Sequence, residues 1–336
     1  MTRVPERFER PKRIFPVGLI VLFDFLIFAA ALVVFALFHH VLPRAFKQPI
    51  VNTVITDAVT TLPPSGSDLT NTIPDGTSDD AQTPSYPLGD FTAAFPTIDT
   101  TADNAIHSYQ TDNVRISIKK MKVGDAVAFV ADIWVRDIHS LRNGFAKERV
   151  GQGVTDKVLD MAEHFNATVA INGDYYGARA KSVVIRDGVL YRDSLFEDVC
   201  VLYEDGVMET YTAGEFDINA AVTRRAWQAW SFGPMLLQDG KAMTAFNSSV
   251  VPANPRTAIG YYEPGHYCFV VVDGRQSGYS NGMHLKVLSQ FFADLGCKTA
   301  YNLDGGQSSM MAFQGELVNQ PYNGGRPSSD IIYITQ

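Results

Sequence analysis

The sequence predicts an α+β domain, a single mixed and mostly antiparallel sheet with two or three packed helices, placed after an N-terminal transmembrane helix. Three observations lead to this class. The run from Val17 to Phe38 holds Asp24 as its only charge, and about 20 apolar residues are what a helix needs to cross a hydrocarbon core. Beyond residue 106, strand-like runs outnumber helical ones and are punctuated by hairpin signals such as Asp187-Gly188, Asp205-Gly206 and Asp239-Gly240. No strand is followed by a dinucleotide-binding glycine fingerprint or a P-loop, which disfavours a Rossmann architecture.

Arg3, Arg7, Arg10, Lys12 and Arg13 precede the apolar run. The bias of Lys and Arg toward the cytoplasm then places residues 1–16 inside, the span over 17–42 and the rest outside, a single-pass protein of the cell membrane. A cleaved signal peptide fits less well, because the run is too long and no small-x-small site follows it. Residues 43–105 are rich in Thr, Ser, Pro and Asp, too poor in apolar surface to offset their ordering entropy, and read as a disordered stalk. A single domain over 106–336 follows.

Within that domain, Val114 to Ile118 and Ala126 to Val135 carry strand patterns. A helix runs from a Thr155 cap to Phe165, with Val158, Leu159, Ala162 and Phe165 on one face. The strand Thr168 to Ile171 ends in Asn172-Gly173-Asp174, and a mixed segment spans Glu215 to Trp230. Thr257 to Tyr262 pairs with Tyr267 to Asp273 across Glu263-Pro264-Gly265-His266. The last helix covers Met283 to Leu295, its Val287, Leu288, Phe291, Phe292 and Leu295 at core spacing.

The formal net charge of −8 excludes a phosphate-neutralising nucleic-acid surface. Cys200, Cys268 and Cys297 are an odd set without metal-ligand spacing, read as buried thiols, with one disulfide pair open to an extracytoplasmic chain. His107, His139, His164, His266 and His284 occur singly, without HxH or HxxxH spacing, and no Gly-x-Ser-x-Gly elbow is present. Two Asn-x-Ser/Thr acceptor patterns stand at Asn166 and Asn247.

Chemistry is expected where strands end. Asn302-Leu303-Asp304-Gly305-Gly306-Gln307-Ser308-Ser309 sets one carboxylate at the end of an apolar run, then two glycines and two hydroxyls able to face an anion. Asp174, Asp273 and Asp304 each close a strand-like run, and neighbouring strands would bring the three carboxylates together for acid/base work or for a hard cation such as calcium or magnesium. Arg256 and Arg326 stand beside strands, where a planar fork suits phosphate or carboxylate.

These motifs in order, NGDYYG (172–177), SFGPMLLQDG (231–240), NPRTAIGY (254–261), VVDGRQSGYSNG (271–282), NLDGGQSSMM (302–311) and RPSSDIIYI (326–334), resemble the phosphodiester glycosidase (uncovering-enzyme-like) domain family over roughly Val114 to Thr335. The family often reads Asn-Gly-Gly where this chain has Asn172-Gly173-Asp174, which ranks Asp304 above Asp174. The resemblance implies hydrolysis of a sugar 1-phosphodiester with no required cofactor. Asp304 is then nucleophile or general base, with Asp273 or Asp174 as second carboxylate. Arg256 and Arg326 would neutralise the departing phosphate, and Asn172, Gly173, Thr257, Gly305, Gly306, Ser308 and Ser309 would line the substrate. Two rival expectations are a module that binds anionic envelope glycans without turnover and a protein of exopolysaccharide assembly.

Overall fold

The computed structural model describes residues 17–36, 44–45, 88–96, 104–246 and 248–336. The expected cytoplasmic segment 1–16, most of the stalk and the acceptor position 247 lie outside the described residues. The chain divides into two compact units, Met1–Pro43 and Arg44–Gln336.

In the first unit, α1 covers Val17–Ala36. Its described side chains include Phe25, Phe28 and Val33, all exposed. Part of the expected span lies outside the described residues, and among those described no helix is long and apolar enough to cross a membrane.

The second unit opens with a meander of β1 (His107–Gln110), β2 (Val114–Val123) and β3 (Ala126–Val135). It continues through β4 (Leu141–Phe145), α2 (Val158–His164) and β5 (Val169–Asn172). Next come β6 (Val183–Arg186), β7 (Val189–Asp193), β8 (Val199–Tyr203), β9 (Met208–Tyr211), α3 (Ile218–Thr223) and β10 (Ala226–Trp230). The hairpin β11 (Arg256–Glu263) and β12 (His266–Val272) leads through α4 (Leu285–Asp294) to β13 (Thr299–Asn302). The chain closes with β14 (Met311–Phe313), β15 (Glu316–Leu317) and β16 (Asp330–Ile334).

Among the described residues the expected single sheet is instead three large sheets, beside two small two-stranded ones. A six-stranded sheet has the order β13-β11-β12-β3-β2-β1, and two five-stranded sheets have the orders β9-β8-β10-β6-β7 and β15-β14-β5-β16-β4. Their described pairings are antiparallel. One face of the six-stranded sheet (Ile118, Phe129, Ile133, Phe269, Val271) packs into a common core with Ile171, Met311 and Ile332 of one five-stranded sheet and Cys200, Leu202 and Trp230 of the other. Its opposite face, through Ala128, Val270 and Ala300, receives Leu285, Leu288 and Phe292 of α4. The outer faces of the five-stranded sheets carry α2 and α3. Strands buried on both faces lose the period-2 signal and read as continuous apolar runs, which hid the number of sheets.

Local differences have local causes. α2 begins at Val158 after Lys157, without a side-chain cap, so Thr155 does not serve as its cap. Residues 88–96, assigned by composition to the stalk, include Phe91, which is fully buried and whose N–H donates to the Arg136 carbonyl at 2.7 Å. Its ring explains Gly206, where a Cβ would come within 2.5 Å of it. The three cysteines are free and buried, with the Cys268 and Cys297 sulfurs 3.8 Å apart.

The two five-stranded sheets are joined by charge. Arg186, at the end of β6, places Nη2 2.9 Å from Asp174 Oδ1 and 3.0 Å from Asp330 Oδ2 of β16. All three side chains are buried. Asn143 Nδ2 donates to the same Asp330 oxygen at 2.8 Å, and the Ser231 N–H donates to Asp174 Oδ2 at 2.9 Å. Gly173 must lack a side chain, because a Cβ there would sit 2.0 Å from Asp330 Oδ1. Burial pushes the Asp330 carboxyl up to about 7, Arg186 opposing the shift and Asp174 adding to it.

Two outcomes follow for stability. Replacing Arg186 by Met strands two buried carboxylates, and urea unfolding should show a loss of about 3–5 kcal/mol. An Asp330 carboxyl raised in the folded state contributes stability that is fully present below its unfolded value near 3.8 and lost as pH rises through about 7. Unfolding free energy should therefore fall between those pH values, and Asp330→Asn should flatten that slope; an unchanged slope would exclude Asp330 as its source.

Candidate active site

β13 runs antiparallel to β11 and delivers the glycine turn beside it. The Leu303 N–H donates to the Thr257 carbonyl at 2.8 Å, the Asp304 N–H to the Gly173 carbonyl at 3.3 Å, and the Gly306 N–H to the Pro255 carbonyl at 2.9 Å. The turn is thus tied both to the six-stranded sheet and to the end of β5. Gly305 lies so close to Pro255 that a Cβ would come within 2.7 Å of its carbonyl oxygen, and Gly306 has φ +68. Both positions need glycine, one for space and one for conformation.

A cleft of about 120 Å³ opens here, lined by Phe232, Arg256, Arg275, Asn302, Asp304 and Gly306 among others. Asp304 is 6% exposed. Arg326 reaches it through Nη2 at 2.8 Å while its Nε donates to Ser308 Oγ at 2.6 Å. The Arg326 guanidinium also lies 4.9 Å from the centre of the Tyr175 ring. Burial raises the Asp304 carboxyl above its ordinary value, with Ser308, Arg326 and Arg179 pulling the other way. Desolvation outweighs the cations, so the site holds a carboxylate more basic than one in water.

Of the residues expected from the sequence, Asp304, Arg326, Ser308, Gly305 and Gly306 come together, and Arg256 joins them at the cleft. Arg256 is tied down, however. Its Nε donates to the Met283 carbonyl at 2.9 Å and its Nη2 to the Val250 carbonyl at 2.6 Å, so it organises the loop before β11. Burial, helped by Arg275, lowers its pKa to about 10.

The expected convergence of three carboxylates is corrected by their hydrogen bonds. Asp174 is fully buried on Arg186 and is closed to a ligand. Asp273 is 1% exposed and takes donors from Asn319 Nδ2 at 2.7 Å, Tyr279 Oη at 2.9 Å and the Gln320 N–H at 3.0 Å. It pins the loop after β12 to the segment after β15. Asn172, expected to hold substrate, is a brace: its Nδ2 donates to the Asp304 carbonyl at 2.7 Å, and its Oδ1 accepts from Thr257 Oγ1 at 2.8 Å and the Met310 N–H at 3.2 Å. Thr257 and Gly173 are consumed in the same brace and in the Asp330 contact, and Ser309 is buried beneath the turn. Among the described residues no three His, Cys, Asp or Glu side chains gather to hold a metal, and donors already satisfy Asp174 and Asp273, so the residues do not fit a calcium or magnesium site.

Residues not expected from the sequence stand in the cleft or against its lining. Arg275, with φ +59, stands against Gly306, whose Cβ would lie 3.3 Å from its Nη2, and Asn254 Oδ1 accepts from that nitrogen at 2.9 Å. Arg179 pairs with Glu197 at 2.6 Å and lies 4.6 Å over the Phe232 ring. Asn302, the last residue of β13, donates through Nδ2 to the Gly233 carbonyl at 2.8 Å. Arg275 and Phe232 sat inside two of the quoted motifs, 271–282 and 231–240, without a role assigned to either; Arg179 carried no local signal.

The profile of the phosphodiester glycosidase family matches residues 165–335. The SPbeta prophage-derived uncharacterized protein YomE of Bacillus subtilis (strain 168) is 33% identical over 184 residues, 51% of this chain and 28% of that protein. The chain therefore spans little more than a quarter of that relative. Among solved structures, the catalytic domain of zebrafish N-acetylglucosamine-1-phosphodiester alpha-N-acetylglucosaminidase, auto-inhibited by its pro-peptide, superposes with a TM-score of 0.53 at 20% identity, covering 69% of this chain and 86% of that one. A hypothetical protein from Synechocystis gives 0.51 at 14% identity, covering 67% and 62%. At these identities the superpositions show a shared fold.

The Arg326 contact has a direct readout. Arg326→Met removes a cation that holds the Asp304 carboxyl down, so a carbon-13 titration should find that carboxyl shifted to higher pH than in the wild type. No shift would mean that the ion pair does not form.

Proposed function

The chain belongs to the phosphodiester glycosidase family, and from that premise we propose that it hydrolyses a sugar 1-phosphodiester. Water adds its oxygen to the anomeric carbon as the anomeric C–O bond breaks, giving a free sugar and a phosphomonoester. The observation that carries this reading is a cleft in which Asp304 stands with Arg256 and Arg275, two guanidinium groups without a carboxylate partner among the described residues. Cations left without a protein counter-ion in a partly desolvated cleft suit an anionic ligand.

A single available carboxylate is enough for this substrate class. An ordinary glycosidase needs a second one to protonate the leaving oxygen. A phosphomonoester leaves as an already stable anion, and Arg275, which has no carboxylate partner among the described residues, neutralises the charge that grows on it. Asp304 acts at the anomeric centre, as nucleophile or as base toward water, and its raised basicity serves either role.

The same proposal puts the domain on the outer side of a membrane, held by α1. Its supports are the exposed apolar side chains of that helix and the basic residues Arg3 to Arg13 before it. Envelope phosphoglycans are the substrate class within reach of such an anchor.

Release of free sugar from a panel of α-linked sugar 1-phosphodiesters tests the proposal. The wild type should release sugar, and Asp304→Ala should lower kcat by about a thousandfold with an unchanged melting curve. Equal release by both would remove Asp304 from the chemistry. Tight binding without turnover would identify a glycan-binding module instead.

A further inference from the structure

Within this reading of the cleft, we infer that Asn302 is the residue that recognises the sugar, its carboxamide oxygen accepting a hydrogen bond from a sugar hydroxyl or acylamino N–H beside Phe232. Asn302 lines the cleft and is 1% exposed. Its Nδ2 donates to the Gly233 carbonyl at 2.8 Å, which fixes the orientation of the amide, because the flipped form would set two oxygens against each other. The other end of the amide, Oδ1, is buried and has no hydrogen-bond partner. Buried acceptors are normally satisfied, and one left open two residues before the proposed catalytic Asp304 is poised for a ligand that brings a hydrogen.

The chemistry of that ligand group follows from the acceptor. Ionised phosphate oxygens carry no hydrogen, so they are repelled by Oδ1 and belong with Arg275. A hydroxyl or amide N–H satisfies it. Phe232 supplies the apolar surface that a pyranose ring packs on. It is held in place by its own N–H donating to Tyr301 Oη at 2.9 Å and by Arg179 over its ring at 4.6 Å. The cleft thus presents an acceptor and an apolar ring for the sugar, and cations for the phosphate, on either side of one bond.

The inference is tested by binding, independently of turnover. Calorimetry on the full chain would compare hexose 1-phosphates with their monodeoxy and deacylated analogues, against wild type and Asn302→Ala. In the wild type, removal of one particular donor should weaken binding about tenfold or more. In Asn302→Ala the parent sugar and that analogue should bind alike. A wild type indifferent to every single deletion, or a variant that keeps the full penalty, would overturn the assignment, and the wild-type comparison alone suffices if the variant does not fold. Diester hydrolysis without this coupling would leave the proposed function standing and remove Asn302 as the reader. Coupling without hydrolysis would keep the sugar subsite and remove the catalytic reading.

Discussion

The structure depends on one buried guanidinium. Arg186 binds Asp174 and Asp330 at once, from a strand of one five-stranded sheet to the end of another. The contact fixes more than the sheets. Asp330 packs against Gly173, and the Gly173 carbonyl accepts the Asp304 N–H, so the position of the cleft carboxylate is inherited from an ion cluster beneath it. A buried ion pair of this kind adds little net stability, yet it tolerates only one register of the elements it joins. Precision of the turn after β13 is what it contributes.

The cleft above works by an imbalance between burial and charge. Desolvation raises Asp304 more than Arg326, Ser308 and Arg179 lower it. Arg256 shows the opposite face of the same environment, a cation whose proton is loosened by burial and by Arg275. A phosphate entering the cleft relieves the second effect and reinforces the first, because its negative charge raises the Asp304 carboxyl further. An anionic ligand restores the counter-charge that the guanidinium groups lack and leaves Asp304 as the basic group at the anomeric centre.

Much of this was legible in the chain. The hairpins at Asp187-Gly188 and between β11 and β12, the amphipathic α4 and the turn at Asp304 all carry local signals, and the family motifs were in order. Four things were not. A carboxylate after a strand looks the same whether it faces solvent or Arg186, so Asp174 and Asp273 could not be separated from Asp304 without their donors. The number of sheets was hidden because β12 and β16 are apolar on both faces. Arg186 itself reads as a charge ending a strand at a hairpin, and only its contacts with Asp174 and Asp330, far apart in the sequence, show that it is buried. Phe91 was lost in a stalk-like composition for the same reason, since its partners Gly206 and Gly265 lie more than a hundred residues away.

The central claim is which bond breaks. Hydrolysis of a sugar 1-phosphodiester in oxygen-18 water, with both products analysed by mass spectrometry, locates it directly. Cleavage at the anomeric carbon, as expected for Asp304 acting on the sugar with the arginines holding the phosphate, puts the heavy oxygen in the sugar and none in the phosphomonoester. Label in the phosphate would mean attack at phosphorus, and the glycosidase chemistry assigned to this cleft would be wrong.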